Sequence, residues 1–507
     1  MTSAADKANR LPITVAMMLT TLMTSLDTTI ANVALPRIQG SLSASVEQIS
    51  WVLTSYLIAT AVMTPLSGWI SKRIGRKNLL LLSVGGFMVS SMLCGVANSL
   101  SEIVIFRILQ GIAGASLMPL SQAMVLDLWP PNQVGRVMSI WGMAMIVGPI
   151  LGPTLGGWLT DNLSWRWVFY INLPTAGISL VGLWLFMQKD QTHEAQNFDF
   201  IGFGSLSVAV GAFQLVLDRG PSQDWFSANE IWAYAVIGLV SAYVFVVQTL
   251  SAKNPFLPRA LALDRNFVTS NLFGLFLGVL MFSSMALLPP MMQSFMGYTA
   301  LQSGIVGIPR GAGTFLAMLI VARLLGRVDV RGILLFGLIC TAIALAMMTQ
   351  FDLSMTARPM MTTGMLQGFG MSFLFVPLSV VAFSTLDPSL RAEAAGVYNL
   401  VRSLGGSIGI SIMQAIWTTN AAVVHSTLAE HIRPGDPALS ASLPPPMDPS
   451  SVMGLLSLNG EVTRQAAMVA YIDDFKVMMI LTVLIMPFLL IIRPAKIARE
   501  ASHAMSE

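Results

Sequence analysis

Residues 101–127 read SEIVIFRILQGIAGASLMPLSQAMVLD, an apolar run whose charged residues are Glu102, Arg107 and Asp127. A run of this length can cross the ~30 Å hydrocarbon core of a bilayer as a helix. A helix is expected because lipid offers no hydrogen-bond partner to a bare backbone, and the alternation typical of a barrel strand is absent. Comparable runs recur along the chain, and they predict fourteen spans, near residues 13–35, 48–70, 78–97, 101–127, 136–160, 165–187, 198–217, 230–250, 267–290, 302–322, 332–350, 357–385, 394–418 and 475–492.

The composition indicates an all-α polytopic membrane protein. Hydrophobic residues make up 54% of the 507 residues and charged residues only 10%, whereas a soluble chain would carry roughly a quarter charged residues. The formal net charge of +3 is too small to suggest a nucleic-acid partner. Cys94 and Cys340 lie in separate apolar runs and are interpreted as packing residues. We therefore expect no metal site and no cofactor, and we interpret the first apolar run as a retained span.

The distribution of lysine and arginine predicts the orientation of the chain. Of the 28 basic residues, eighteen fall in segments on one side of the predicted membrane and six on the other. The richer side should be the cytoplasm, which places both termini there. The stretch 419–474 is rich in proline, serine and alanine, and it is predicted to be a solvent-exposed outer loop.

An internal repeat divides the chain. Leu109-Gln110-Gly111 and Pro119-Leu120-Ser121 recur as Leu366-Gln367-Gly368 and Pro377-Leu378-Ser379, and Gly75-Arg76 recurs as Gly326-Arg327. Matches in the same order indicate duplication of a six-helix unit, and two parallel units suit a transporter with a cavity between its halves. The predicted domains are an N-terminal bundle (1–190), an inserted pair of helices (191–262) and a C-terminal bundle (263–507).

Charged residues inside the predicted spans are candidates for proton coupling, because a charge in the membrane is costly. Asp27 is the only acid that we place deep inside a span, and Arg107 falls at a similar depth. A pair between them would offset part of each desolvation cost, and movement of the arginine would change the proton affinity of the acid. The alternative is that both residues only fasten helices together.

The substrate cavity is less clearly marked. The chain contains 34 Met and 25 Phe, which suit adaptable apolar contact with varied ligands. Polarity and position in the repeat suggest the following lining residues: Tyr56, Gln110, Met291, Gln293, Arg310 and Gln367.

Two motifs suggest conformational roles. One is the basic loop that contains Gly68, Arg73, Gly75 and Arg76, which either only orients the chain or latches helix ends together. The other is a predicted span in which glycine and proline permit close packing and kinking, and which either only packs tightly or controls the opening of a cavity. Its residues are Gly148, Pro149, Gly152, Pro153, Gly156 and Gly157.

These residues resemble the major facilitator superfamily, and specifically its fourteen-helix drug:proton antiporters, the EmrB/QacA group. The similar motifs lie in order at residues 26–36, 68–77, 107–111, 148–157 and 165–174. The resemblance implies a major facilitator fold, a role for Arg107 in proton transfer, and export of hydrophobic or amphipathic toxic compounds driven by the proton gradient. It also implies a bacterial inner-membrane location and, for the EmrB-like members, a periplasmic membrane-fusion adaptor (EmrA-like) and an outer-membrane channel.

One position departs from the family pattern. The superfamily loop usually has an acid where this chain has Lys72, so a latch that uses that acid is in doubt.

Four alternative functions predict different sequence features. No lysine follows a glycine in this chain, so the nucleotide-binding motif of a primary pump is absent. Gly405-Gly406-Ser407-Ile408-Gly409 matches the serine-hydrolase motif, but it lies in a predicted span rather than at a strand–helix turn. An exporter of one metabolite, lipid or siderophore remains the main alternative, and a substrate-sensing receptor without transport is a further one.

Overall fold

The computed structural model describes residues 9–44, 46–49, 51–188, 198–430, 432, 443–444, 447 and 451–492. The described residues are almost entirely helical, and a single isolated bridge, between Leu325 and Val328, is the β-structure among them. The α-helices are α1 Arg10–Leu42, α2 Val46–Ile49, α3 Trp51–Met63, α4 Leu66–Ile74, α5 Arg76–Val96, α6 Leu100–Gly114, α7 Leu117–Leu128, α8 Pro131–Asn162, α9 Trp167–Tyr170, α10 Asn172–Phe186, α11 Phe200–Arg219, α12 Asn229–Ser251, α13 Arg259–Leu263, α14 Arg265–Pro290, α15 Ala300–Leu324, α16 Val330–Met348, α17 Ala357–Ser384, α18 Arg391–Glu430 and α19 Val452–Ile485. A π-helical turn follows α14 at Met291–Phe295, and 3-10 turns lie at Pro221–Gln223, Trp225–Ser227, Pro388–Leu390 and Met486–Ile491.

In the described part of the chain, 12 helical segments are long and apolar enough to cross a membrane. The count becomes 13 if α3 and α4, which bend by 59° at Thr64 and Pro65, form one broken span. Helix α8 is 32 residues long but is not among these segments. The chain is therefore a multi-pass membrane protein, and the count of fourteen spans stays a prediction.

The helices pack as two groups with a further pair beside them. Helix α1 packs on α8 and α10, and α6 packs on α3 and α5. In the second group, α14 packs on α18 and α17, while α17 also contacts α15 and α16. The pair α11 and α12 pack on each other, and α11 lies against both α3 and α18.

Each helix group contains a turn with the same glycine conformation, which supports the predicted duplication. Gly75 and Gly326, the repeated glycines, have φ angles of 84° and 85°. A side chain strains the backbone in this left-handed region, so each position favours glycine. The same turn therefore joins α4 to α5 and α15 to α16.

The last two helices are longer than the apolar runs predict. Helix α18 has 40 residues and α19 has 34, and at 1.5 Å per residue a 40-residue helix is about 60 Å long. The segment 419–474, predicted to be a loop, is thus helical over 419–430 and 452–474, and most of 431–450 lies outside the described residues. The predicted last span, 475–492, is the second part of a helix that begins at Val452.

This extension carries a second buried acid besides Asp27. Asp474 lies in α19, is 0% exposed, and has no hydrogen-bond partner for either carboxylate oxygen among the described residues. It was not among the predicted site residues because the apolar run begins one residue after it.

Candidate functional site

Asp27 lies on α1 at the centre of a buried polar cluster. Its Oδ2 accepts a hydrogen bond from Arg107 Nη1 at 2.7 Å. Its Oδ1 accepts two more, from Gln110 Nε2 at 2.9 Å and from Asn172 Nδ2 at 2.7 Å. Asp27, Arg107, Gln110 and Asn172 are each 0% exposed. Because charge-assisted hydrogen bonds are the strong ones, this set of donors fits an ionised carboxylate.

Arg107 links Asp27 to the neighbouring helices. Its Nε donates to the carbonyl oxygen of Val52 on α3 at 2.9 Å, and its Nη1 also donates to Gln110 Oε1 at 2.8 Å. Its guanidinium carbon lies 4.2 Å from the centre of the Tyr56 ring, an arrangement that stabilises a buried cation. The arginine therefore holds α1, α3 and α6 together through a single charge.

Asn172, at the start of α10, completes the cluster, and the sequence predictions did not include it among the site residues. Its Nδ2 donates to Asp27 and also contacts Ser91 Oγ at 3.1 Å. It lies in the 165–174 motif, and this motif is the sequence feature that could have identified it as a site residue. Since the four residues come from three helices, α1, α6 and α10, movement of any of these helices alters the surroundings of Asp27.

Predicted cavity residues separate into three groups in the structure. Tyr56 and Gln110 belong to the Asp27 cluster. Met291 is buried and Gln293 is exposed, and neither lines the cavity described below. Both lie in the π-helical turn at Met291–Phe295, and their part in a substrate cavity stays a prediction.

A cavity of about 150 Å³ lies in the second helix group, between α14, α15 and α17. Arg310 is on its wall, and Gln367 lies behind that wall, where its Nε2 donates to Ser284 Oγ at 2.8 Å. Much of the remaining wall consists of methionine, a flexible apolar side chain that adapts to ligand shape. These methionines are Met281, Met285, Met292, Met360 and Met371.

The glycines of α8 form a close contact with α1. A Cβ added at Gly148 would lie 2.6 Å from Leu26 N, and one at Gly152 would overlap the hydroxyl of Thr29. Gly156 packs on Ile30 in the same way, with a Cβ distance of 2.8 Å. The face made by Gly148, Gly152 and Gly156 thus brings α8 against the turns of α1 that carry Asp27. The other predicted residues of this motif, Pro149, Pro153 and Gly157, are within α8.

The helix ends that carry Lys72, Arg76, Arg331 and Arg391 are called the basic end below. There, Lys72 forms an ion pair with Glu393 at the start of α18, and a Cβ at Gly68 would lie 2.6 Å from Glu393 Cγ. The pair has the base on α4 and the acid on α18, in the other helix group, and a latch at this position stays a prediction.

A second acid, Asp127, forms further ion pairs at the basic end. Asp127 pairs with Arg76 at 2.7 Å within its own group and with Arg391 at 2.6 Å across to the other. Arg73 is exposed and lies over the Trp69 ring at 5.3 Å. Lys72 is 43% exposed, but its partner Glu393 is only 8% exposed, and Asp127 is 10% exposed. Because buried charges contribute more than exposed ones, these two acids join the two groups here.

Comparison with known proteins agrees with this architecture. The family model described as Major Facilitator Superfamily matches residues 17–410. The chain belongs to the major facilitator superfamily. Within this superfamily it is 38% identical over 433 residues to the multidrug export protein EmrB of Haemophilus influenzae, with 84% of each chain covered. It is 36% identical to EmrB of Escherichia coli K12 over 434 residues.

A further relative matches nearly the whole chain. The fatty acid resistance protein FarB of Neisseria gonorrhoeae is 33% identical over 490 residues, which covers 95% of this chain and 96% of FarB. Among solved structures, the proton:xylose symporter XylE matches with a TM-score of 0.60 at 15% identity, covering 98% of this chain and 99% of XylE. That likeness establishes the major facilitator fold, and the family establishes a transporter rather than an enzyme.

Proposed function

We propose that this transporter is a proton-coupled multidrug efflux antiporter, which exports hydrophobic or amphipathic toxic compounds by alternating access. The observation that best supports this proposal is the fully buried pair of Asp27 and Arg107, which is held between four helices. The Asp27 oxygens accept hydrogen bonds from three donors on two other helices, and a proton on the carboxylate would weaken these bonds. Protonation would therefore favour helix rearrangement, as antiport requires.

The driving force is sufficient for drug export. A proton that moves through about 150 mV releases roughly 3.5 kcal/mol, which supports about a 300-fold concentration ratio of a neutral substrate. Substrates are lipophilic drugs, in keeping with the names of the EmrB relatives. No cofactor is required, because the proton gradient supplies the energy.

The basic end faces the cytoplasm of a bacterial inner membrane, since lysine and arginine accumulate on the inner side. Both termini then lie in the cytoplasm, and the long ends of α18 and α19 face the periplasm. A periplasmic membrane-fusion adaptor and an outer-membrane channel are the partners that the EmrB-like resemblance implies. The domain division at 1–190, 191–262 and 263–507 belongs to the same proposal.

Everted vesicles test the coupling. With a proton gradient established, addition of a lipophilic drug should release protons from vesicles that contain the wild type, and Asp27→Asn should abolish this release. The matched control is Asp161→Asn, which removes an acid that is 64% exposed and paired with Arg37 at 3.3 Å. Drug-dependent proton release of wild-type size in the Asp27→Asn protein would refute the mechanism.

A second candidate function is the export of fatty acids or related lipids. The observation in its favour is the similarity to FarB over 95% of the chain. Susceptibility of pump-deficient cells to long-chain fatty acids and to a panel of unrelated drugs separates the two functions. A multidrug exporter protects against both groups, whereas a lipid exporter protects only against the acids.

The hydrolase alternative loses its structural basis. Ser407 lies in the middle of α18, where its hydroxyl accepts a hydrogen bond from Gln214 Nε2 at 3.0 Å. The serine-hydrolase motif requires a sharp turn from strand to helix, and a helix interior does not provide one.

A further inference from the structure

The two helix groups can be aligned through matching contacts rather than through sequence alone. In the first group, Thr60 Oγ1 donates to the carbonyl oxygen of Gly111 at 3.3 Å. In the second, Thr314 Oγ1 donates to the carbonyl oxygen of Gly368 at 3.1 Å. Thr60 therefore corresponds to Thr314, and Gly111 to Gly368.

The same alignment pairs the acid with a serine. Gln110 Nε2 donates to Asp27 at 2.9 Å, and Gln367 Nε2 donates to Ser284 at 2.8 Å. Both pairs of residues are separated by the same interval in the chain, so Ser284 occupies the place of Asp27. The C-terminal group thus retains the glutamine but lacks the carboxylate.

The arginine of the second group lies on a helix that does not correspond to the helix of Arg107. Gly364 stands three residues before Gln367, as Arg107 stands three residues before Gln110. Arg310 stands four residues before Thr314, as Tyr56 stands before Thr60. A Cβ added at Gly364 would lie 3.7 Å from Arg310 Cβ, so the cation of the second group faces the space where the first group holds its arginine.

This replacement creates the cavity. Gly364 removes the bulk that Arg107 has in the first group, and Ser284 removes part of the bulk of Asp27. Ser284, Arg310, Thr314, Gly364 and Gly368 all line the cavity of about 150 Å³. The cavity is consequently the counterpart of the proton-coupling cluster, with the charged side chains removed and one arginine retained.

In the described part of the chain, the Arg310 guanidinium has no counter-ion and forms no hydrogen bond. An arginine remains protonated in proteins, and a half-buried cation without a partner carries an uncompensated desolvation cost. A second cation in the cavity would be repelled, and a neutral ligand would desolvate the guanidinium further. An anionic group satisfies the site.

We propose that this cavity binds lipophilic compounds through an acidic group. The carboxylate or phenolate takes the place that Asp27 has in the first group and pairs with Arg310, while the apolar body lies among the methionines. This inference rests on the proposed export function for its biological meaning, but binding to the purified protein does not depend on proton coupling.

The test uses two ligands of matched shape, 2-naphthylacetate and the neutral 2-naphthylacetamide. Kd is measured by ligand fluorescence on the full-length protein in detergent, without a gradient. Arg310→Gln should weaken binding of the acid by about tenfold or more, because a charge-assisted pair is lost, and should change binding of the amide by less than about twofold. Ser284→Asp, which supplies an internal counter-ion, should also weaken binding of the acid selectively.

Arg402→Gln is the matched control, since Arg402 is a buried arginine of the same group that does not line the cavity. Each variant is first checked by size-exclusion chromatography and thermal melting. Equal weakening of acid and amide by Arg310→Gln, or unchanged binding of the acid to Ser284→Asp, would overturn the proposal. Loss of proton release in Asp27→Asn with unselective binding to Arg310→Gln would leave the antiport function intact and reject this site alone.

Discussion

At the scale of single residues, Asn172 fixes the position of the coupling acid. Its Nδ2 contacts both Asp27 and Ser91, so Asn172→Ala removes one of three donors to the carboxylate. The carboxylate is then held less firmly in place, and drug–proton exchange should fall by about fivefold, because a buried hydrogen bond contributes about 1 kcal/mol. The measurement is the rate of drug–proton exchange in proteoliposomes.

Thr175→Ala is the control for this experiment, because Thr175 lies on the same helix and bonds only the Asn172 carbonyl oxygen at 2.9 Å. Exchange by Asn172→Ala equal to that of Thr175→Ala would show that Asn172 does not position the acid.

Asp474 should be a source of instability rather than of transport. Both of its oxygens are buried without a partner among the described residues, and such a group costs about 1–3 kcal/mol. Asp474→Leu should therefore raise the melting temperature of the detergent-solubilised protein and preserve drug export. Asp473→Leu is the comparison, since Asp473 is partly exposed and pairs with Lys476 at 3.0 Å.

Folded Asp474→Leu protein that no longer exports drugs would assign the residue to the transport cycle instead.

Residues of the site differ in how well the sequence reveals them. Asp27 and Arg107 stand out because a charge in an apolar run is rare and costly. Asn172 and Ser91 do not, because uncharged polar residues are common in helices that bury one face. Asp474 was missed because the span boundary was drawn from hydropathy, which a single acid shifts.

At the scale of the helix, the contact between α8 and α1 tolerates no side chain. A Cβ at Gly152 would overlap Thr29, and one at Gly148 would press on the backbone of α1. Gly152→Ala should impair export severely and destabilise the protein by about 1–3 kcal/mol, the usual cost of overpacking. Thermal melting and drug susceptibility of pump-deficient cells measure the two effects.

Gly177→Ala provides the comparison, since nothing lies within 4 Å of a Cβ at that position. Export by Gly152→Ala equal to that of Gly177→Ala would show that α8 can move away from α1 without consequence.

Hydropathy predicted where helices cross the membrane better than where they end. An apolar run marks the part of a helix that contacts lipid, but the backbone hydrogen bonds of a helix continue in water wherever the sequence permits. Polar residues such as Arg464 and Glu461, which pair at 2.9 Å within α19, continue the helix beyond the apolar run. The predicted outer loop was for this reason too long.

At the scale of the whole molecule, the basic end joins the two helix groups by charges that can be exchanged. Glu393→Lys should place two cations together, open this end and reduce export. The double variant Lys72→Glu, Glu393→Lys should recover much of the loss, because the attraction is restored with reversed polarity. Cysteine accessibility from the cytoplasmic side, together with drug efflux, measures opening and recovery.

Arg37→Glu with Asp161→Lys serves as the control exchange, because that pair is exposed and lies within one helix group. Failure of the double variant to exceed Glu393→Lys in efflux would show that the ion pair does not hold the groups together.

The sequence predicts a duplication, and it predicts the divergence of the two copies only in part. The repeated glycine turns and Leu-Gln-Gly segments mark equivalent positions directly. The sequence does not reveal that Arg310 takes the place of Tyr56, because the two copies differ in length between these residues and the glycine turns. The contacts of Thr60 and Thr314 in the structure are needed to align them.

Helix α11 gives the two boundaries between the groups different constructions. On one flank α8 and α15 touch directly, while on the other α11 is interposed between α3 and α18. It is tied to α3 through Thr54 and Asp218, and to α18 through Ser411 Oγ, which donates to the Leu217 carbonyl oxygen at 2.6 Å. Because α11 bonds to both groups, we expect it to keep this boundary filled with protein when the groups separate during the cycle. Lipid would then be excluded from the widened interface.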